Sequence, residues 1–266
     1  MRFFLLLLAF GVSSSLMSHA TSQNFRAFDT SFVEDNDLWI EDDINSKEGI
    51  TRDMFNTIIA AGLDVYSPIA AQNGERLRIN SDWNSPLVGA NCSRAYGYFT
   101  VNLYGGLARR EEITPEGFAL VLCHELGHGY GSTPYLTKDV DFSERQDKFS
   151  AEGQSDYYGA KECLRKLLPK IAMPSVQPTA YMENRCKKIA SLNSSDFLLC
   201  LRQLSGSISL GTLLASIKDE PEPSFETPDQ TEVDQTETSY PATVQCRTDT
   251  YHNGSLNLDR PHCWFK

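Results

Sequence analysis

Positive charge is scarce in this chain. Its 266 residues carry 24 Lys and Arg against 35 Asp and Glu, a formal net charge of −11. An acidic surface has little to offer phosphate backbones or anionic lipid, so nucleic acid and charged membranes are not expected partners. None of the seven cysteines (92, 123, 163, 186, 200, 246 and 263) forms a Cys-x-x-Cys pair, which leaves a separate structural zinc site without support. Beyond the first twenty residues no stretch reads as a membrane span. Residues 21–48 are polar and acidic, with Asp35, Asp37, Asp42, Asp43 and Asn45. They fit no EF-hand loop and lack its glycine. They read as a solvated face or mobile segment, and they are short for a propeptide.

The opening residues are different. Met1 to Phe10 carry one Arg and a short apolar core, and Ser18-His19-Ala20 has small residues at its outer positions. That pattern is a secretory leader cut near Ala20. Its apolar run is too short to span a bilayer, and no cysteine follows closely enough for a lipid anchor. Export to a secreted or periplasmic location makes disulfides feasible. Cys246 and Cys263 bracket a turn-rich C-terminal segment with little core of its own, so their bridge is the first expected. Cys186 and Cys200 lie on neighbouring predicted helices and form the second. Seven is odd, so at least one thiol stays free or pairs between chains.

The richest signal is His124-Glu125-Leu126-Gly127-His128. Residues four apart on a helix share a face, with Cβ atoms roughly 5–6 Å apart. Two imidazoles so placed reach one Zn²⁺ at about 2.0–2.1 Å. The glutamate between them is then positioned to act as general base on a zinc-activated water. Phe118 to Cys123, just before, is apolar on every face, which marks a buried helix. Thr114 suits its N-cap, Pro115 its first position and Glu116 the positive end of its dipole. Burying an acid and two imidazoles in that continuation is costly unless they pair or bind a metal.

A third ligand is needed. Gly131 fits an extended His-Glu-x-x-His-x-x-Gly-x-x-His pattern, but Pro134 stands where the third His belongs. His252 and His262 lie far off near the C-terminus. The segment from Ser150 to Ala160 does better. Ser150 can cap a helix on which Glu152 and Asp156, four apart, face one side. Glu152 is chosen as ligand, with Asp156 accepting the outer N–H of a ligand histidine. The swapped assignment, Asp156 ligating, is the alternative. Cys123 is not expected to ligate, because neighbouring helix positions point about 100° apart.

These residues, His124-Glu125-x-x-His128 followed by Glu152-x-x-x-Asp156, resemble the gluzincin branch of the zinc metallopeptidases, the group of the thermolysin-like enzymes. The match spans roughly 114–160 and assigns no subfamily. The resemblance implies one Zn²⁺ held by His124, His128 and Glu152, with Glu125 as base and an oxyanion stabiliser. Tyr130, Tyr157, Tyr158, His252 and His262 are candidates by type for that last role. It also implies an extended substrate added to an edge strand. Either Tyr98–Tyr104, ended by Gly105-Gly106, or the strand around Leu87–Cys92 could serve.

Further elements are a helix capped by Thr51 running to about Val65, a strand Leu77–Asp82, the Glu152 helix running to about Leu168, and two or three helices between Thr179 and Ile217. The expected fold is α+β and zincin-like: a small, partly antiparallel sheet plus a helical half, with the active-site helix between them. Its divisions are a leader (1–20), a catalytic domain (21–218), a Pro/Glu/Thr-rich linker or surface strap (219–241) and a disulfide-closed tail (242–266). The leading function is an exported zinc endopeptidase acting on protein or peptide. The alternatives are a zinc hydrolase of another amide or ester, and an inactive exported binding protein.

Overall fold

Thr51 opens the first helix, α1 (Arg52–Gln72), by accepting the Met54 amide on its Oγ1 at 3.2 Å. The computed structural model that shows this describes residues 29–33, 36–42, 49–137, 148–172, 177–239 and 241–266. The expected leader and its cut near Ala20 lie outside the described residues, as do Asp35, Asp43 and Asn45. The helix does not stop near Val65. It continues past Pro68, because Tyr66 and Ala70 prolong the buried stripe of Phe55, Ile58 and Ile59. That burial offsets the hydrogen bond Pro68 cannot donate.

Four strands form one mixed sheet: β1 (Asp29–Ser31), β2 (Arg76–Asp82), β3 (Ala90–Ala95) and β4 (Tyr98–Tyr104), in the order β1-β3-β4-β2. β3 and β4 form an antiparallel hairpin. It turns through Tyr96 and Gly97, both at positive φ (53° and 76°), the backbone that two-residue hairpin loops need. β2 joins β4 in parallel, and β1 pairs antiparallel with β3. β1 corrects the reading of residues 21–48 as wholly solvated. Thr30, Phe32 and Val33 are buried.

A short helix, α2 (Gly105–Ala108), follows β4 and leads to α3 (Pro115–Tyr130). Thr114 caps α3 through the Gly117 amide, as its sequence implies. Every residue of α3 from Glu116 to His128 is buried. It lies between the sheet, where it meets β3 and β4, and a helical half of α4 (Glu152–Tyr158) and α7 (Ser195–Lys218). The chain is thus mixed α+β, with the motif helix in its centre.

The Glu152 helix is less regular than its sequence suggests. Ala151, not Ser150, occupies the N-cap and supplies no side-chain bond. Ser150 Oγ instead donates to the Ser132 carbonyl at 2.7 Å. α4 passes through a π turn (Gly159–Cys163), one more α-helical turn, α5 (Leu164–Leu167), and a 3-10 turn (Leu168–Lys170) that includes Pro169. Two helices then fill the interval to residue 218: α6 (Ala180–Cys186) and α7. By length and composition alone, α1 and α7 could each cross a membrane, contrary to the reading that nothing beyond the leader could. Both contribute to the core: Phe55 and Ile58 from α1, Leu210 and Leu214 from α7.

The C-terminal segment is the largest departure from expectation. It forms a helix, α8 (Val244–Ser255), capped by Thr243 and buried along most of its length. Val244 and Tyr251 belong to the main core. Two of its buried polar side chains are satisfied locally: Thr248 Oγ1 donates to the Val244 carbonyl and Thr250 Oγ1 to that of Cys246. Residues 219–239 strap the surface beside it. The Val233 amide donates to the His262 carbonyl and the Glu237 amide to that of Trp264.

Asp249 on α8 anchors this strap by accepting the Asp229 amide at 2.7 Å. Burial lifts its pKa to about 6, although its hydrogen bonds pull the other way. A carboxyl raised in the folded state stabilises folding most below its ordinary pKa, and that contribution is lost as pH rises through the folded value. Between about pH 6.5 and pH 4, the wild type should therefore gain on the order of 1–2 kcal/mol relative to Asp249→Asn. Thermal melts across that range test this, and parallel curves for the two proteins would refute it.

Three disulfides staple the chain. Cys186–Cys200 and Cys246–Cys263 are the expected pairs. Cys123–Cys163, unforeseen, ties α3 to the π turn. Such bonds suggest an oxidising, extracytoplasmic environment. Cys92, buried on β3, is the free thiol.

Candidate metal centre

His124, Glu125 and His128 are all fully buried where α3 meets α4. The helices can approach because residue 127 is glycine. A Cβ there would lie 2.7 Å from the Ser155 carbonyl oxygen. That closeness brings Glu152, on the first turn of α4, to both imidazoles. Its Oε2 is 3.4 Å from His124 Nε2 and its Oε1 is 3.4 Å from His128 Nε2.

The two Nε2 atoms are 3.1 Å apart. Their protonation follows from the other ring nitrogens. His128 Nδ1 lies 2.8 Å from the Ser150 carbonyl oxygen, which can only accept. His124 Nδ1 lies 2.7 Å from Asp156 Oδ1, an acceptor when ionised. Both Nδ1 atoms therefore donate, and in the neutral rings both Nε2 atoms are lone-pair acceptors facing one another. A cation, or a proton, between them relieves that conflict. Ligand atoms about 2.0–2.1 Å from one tetrahedral cation lie about 3.3–3.4 Å apart. The 3.1, 3.4 and 3.4 Å separations approach that spacing. His124, His128 and Glu152 can thus hold a metal ion.

The charges agree. Burial alone would lower the pKa of His124, but Asp156 and Glu152 beside it outweigh this and raise it to about 9. For His128 burial prevails and the value falls to about 4. Burial would raise Glu152, yet the two histidines and Arg247 hold it down at about 2. Asp156 is lowered further, against its burial, by Arg247 and His124. At neutral pH this leaves two carboxylates around a protonated His124 and a neutral His128, and a divalent cation would take the place of the His124 proton.

Asp156 occupies the supporting position foreseen for it. Its own partner was not foreseen. Arg247, from α8, donates through Nε to Asp156 Oδ2 and through Nη2 to Oδ1, both at 2.8 Å. Arginine is no metal ligand, and α8 carries no apolar stripe to announce a core helix. Nothing in the sequence therefore links position 247 to the motif. Beside it, Tyr251 is fully buried, and burial, with the Asp156 and Glu152 charges, keeps its phenol neutral. On the sheet side, burial and then the Glu125 charge push the Cys92 thiol well above its ordinary pKa.

The aromatic candidates for an oxyanion stabiliser have other partners. The Tyr157 hydroxyl donates to the Leu258 carbonyl at 2.6 Å. Tyr130 packs against Phe99 and Tyr66. The Tyr158 hydroxyl pairs with that of Tyr66. His252 meets Tyr181 and Phe225, and His262 is exposed. The structure joins none of these five to the His124–His128–Glu152 group.

Comparison of the chain with family models, with curated proteins and with solved structures finds no match.

Proposed function

We propose that this protein is an exported zinc-dependent endopeptidase of the gluzincin type, with a zincin-like catalytic body. The observation that supports this most is the pair of Nε2 acceptors 3.1 Å apart, each tied at Nδ1, with Glu152 at equal distance from both. His124, His128 and Glu152 would hold the zinc. Bound there, zinc supplies Lewis acidity to a water and to the scissile carbonyl.

The remaining work belongs to the chain. Asp156 accepts the Nδ1 proton of His124, which keeps Nε2 free to ligate. Arg247 orients that carboxylate through two hydrogen bonds. The Ser150 carbonyl does for His128 what Asp156 does for His124. Glu125 takes a proton from the attacking water and returns it to the leaving amine. Burial strengthens each of these interactions by excluding bulk water.

Metal analysis and a casein-type cleavage assay test the reading together. Wild-type protein reconstituted with zinc should hold about one equivalent, and Glu152→Ala should lose it on dialysis. Stoichiometric zinc in Glu152→Ala would overturn the ligand assignment. Wild type that binds no zinc would end the enzyme reading. Zinc binding with hydrolysis of small esters or amides but of no peptide, in the wild type and in the strand-released variant described next, would favour the broader hydrolase.

A further inference from the structure

The histidines and Glu125 are covered, and the cover belongs to the chain itself. The N-terminal segment runs antiparallel along β3, with Thr30 opposite Cys92 and Ser31 opposite Asn91. The Phe32 amide extends the pairing by donating to the Ala90 carbonyl at 2.9 Å. Thr30 Oγ1 sits 3.0 Å from Cys92 Sγ. The Phe32 ring then stands edge-on against the His124 imidazole, with centroids 5.2 Å apart. The Arg247 guanidinium lies over the same ring, and its Nη1 donates to the Phe32 carbonyl at 3.4 Å.

These are the contacts by which a sheet edge holds an extended peptide: main-chain pairing, a captured carbonyl and a seated side chain. Phe32 is 1% exposed, and His124, Glu125 and His128 are wholly buried. A polypeptide cannot reach the ligand group while this segment is in place. We propose that residues 29–33 are an occluding strand, which fills the groove an extended substrate would enter and must leave β3 before a polypeptide reaches Glu125. The identity of the displaced guest rests on the peptidase reading, whereas the occlusion does not. Withdrawal is feasible because β1 has three residues and, among the described residues, pairs along one side only. Short edge segments open locally at far lower cost than the body unfolds. Residues 21–48 thus include a segment that does a propeptide's work despite their shortness.

Cys92 gives the test a readout other than catalysis. It is the free thiol, and it lies beneath Thr30. Phe32→Ala should loosen the strand, so N-ethylmaleimide should label Cys92 at least about tenfold faster in the metal-free, full-length chain. Zinc should pass to a chromogenic chelator faster by a similar factor, and peptide cleavage should rise. Thr30→Cys should form a disulfide with Cys92 and lock the strand, which slows zinc release and lowers cleavage at least about tenfold below wild type. Unchanged labelling in a folded Phe32→Ala chain overturns the proposal. So do two free thiols in oxidised Thr30→Cys, or wild-type zinc release and cleavage in the locked chain. If Phe32→Ala does not melt cooperatively, the locked chain decides alone. If labelling and zinc release respond as expected while no variant cleaves any peptide, the occluding strand stands and the peptidase reading fails.

Discussion

Glu125→Gln should retain one zinc per chain and lose roughly 10²–10⁴-fold in peptide turnover, the range a positioned general base contributes. The substitution keeps the volume of a fully buried side chain, so the packing between α3 and the sheet survives. None of the atoms converging on the metal position belongs to Glu125. What the amide cannot do is accept the proton of the attacking water. The loss should therefore fall on kcat, with KM close to wild type. Measured against the strand-released Phe32→Ala background, where turnover is highest, the deficit has its widest range. A Glu125→Gln chain with more than about a tenth of the parental kcat would place the base elsewhere.

Arg247→Met should be the costliest single change outside the ligand group. The Asp156 carboxylate is fully buried and accepts two hydrogen bonds from Arg247 and one from His124. Removing one partner of a buried ion pair costs about 3–5 kcal/mol, because the remaining charge has neither water nor counter-ion. Metal affinity should fall about 10–100-fold as well, since Asp156 no longer holds the His124 ring in place. The double variant Arg247→Met/Asp156→Asn separates the two effects. It removes the uncompensated charge, so most of the stability should return. The zinc affinity should not, because an amide is a weaker acceptor for His124 Nδ1–H. Denaturant unfolding and zinc titration of the three proteins measure both quantities. Additive stability losses in the double variant would mean that Arg247 and Asp156 do not act as a pair.

What the sequence shows of this protein lies within one or two helical turns. His124 and His128 share a face because they are four residues apart, and Glu152 and Asp156 do so for the same reason. Thr51 and Thr114 announce their helices because a cap is a bond between neighbours. Local signals also misled: those for α1 ran only to about Val65, and Ser150 suggested a cap it does not supply. In both places a tertiary contact outbid the local preference, through the buried Tyr66 and Ala70 for α1 and through the Ser132 carbonyl for Ser150.

The sequence by itself thus determined the paired imidazoles, the acid beside them, the acidic pair downstream, two of the three disulfides and the mixed α+β class. Only the tertiary structure decided what surrounds them. Arg247 reaches Asp156 across 91 residues of chain, and Phe32 reaches Arg247 across 215. Cys123 finds Cys163 on another helix, and α8 enters the core with Thr248 and Thr250 bonded to its own backbone. Periodicity reports which residues share a face, since that depends on backbone geometry alone. It carries no information about which distant face is pressed against it, because packing depends on the shapes and charges of both surfaces together.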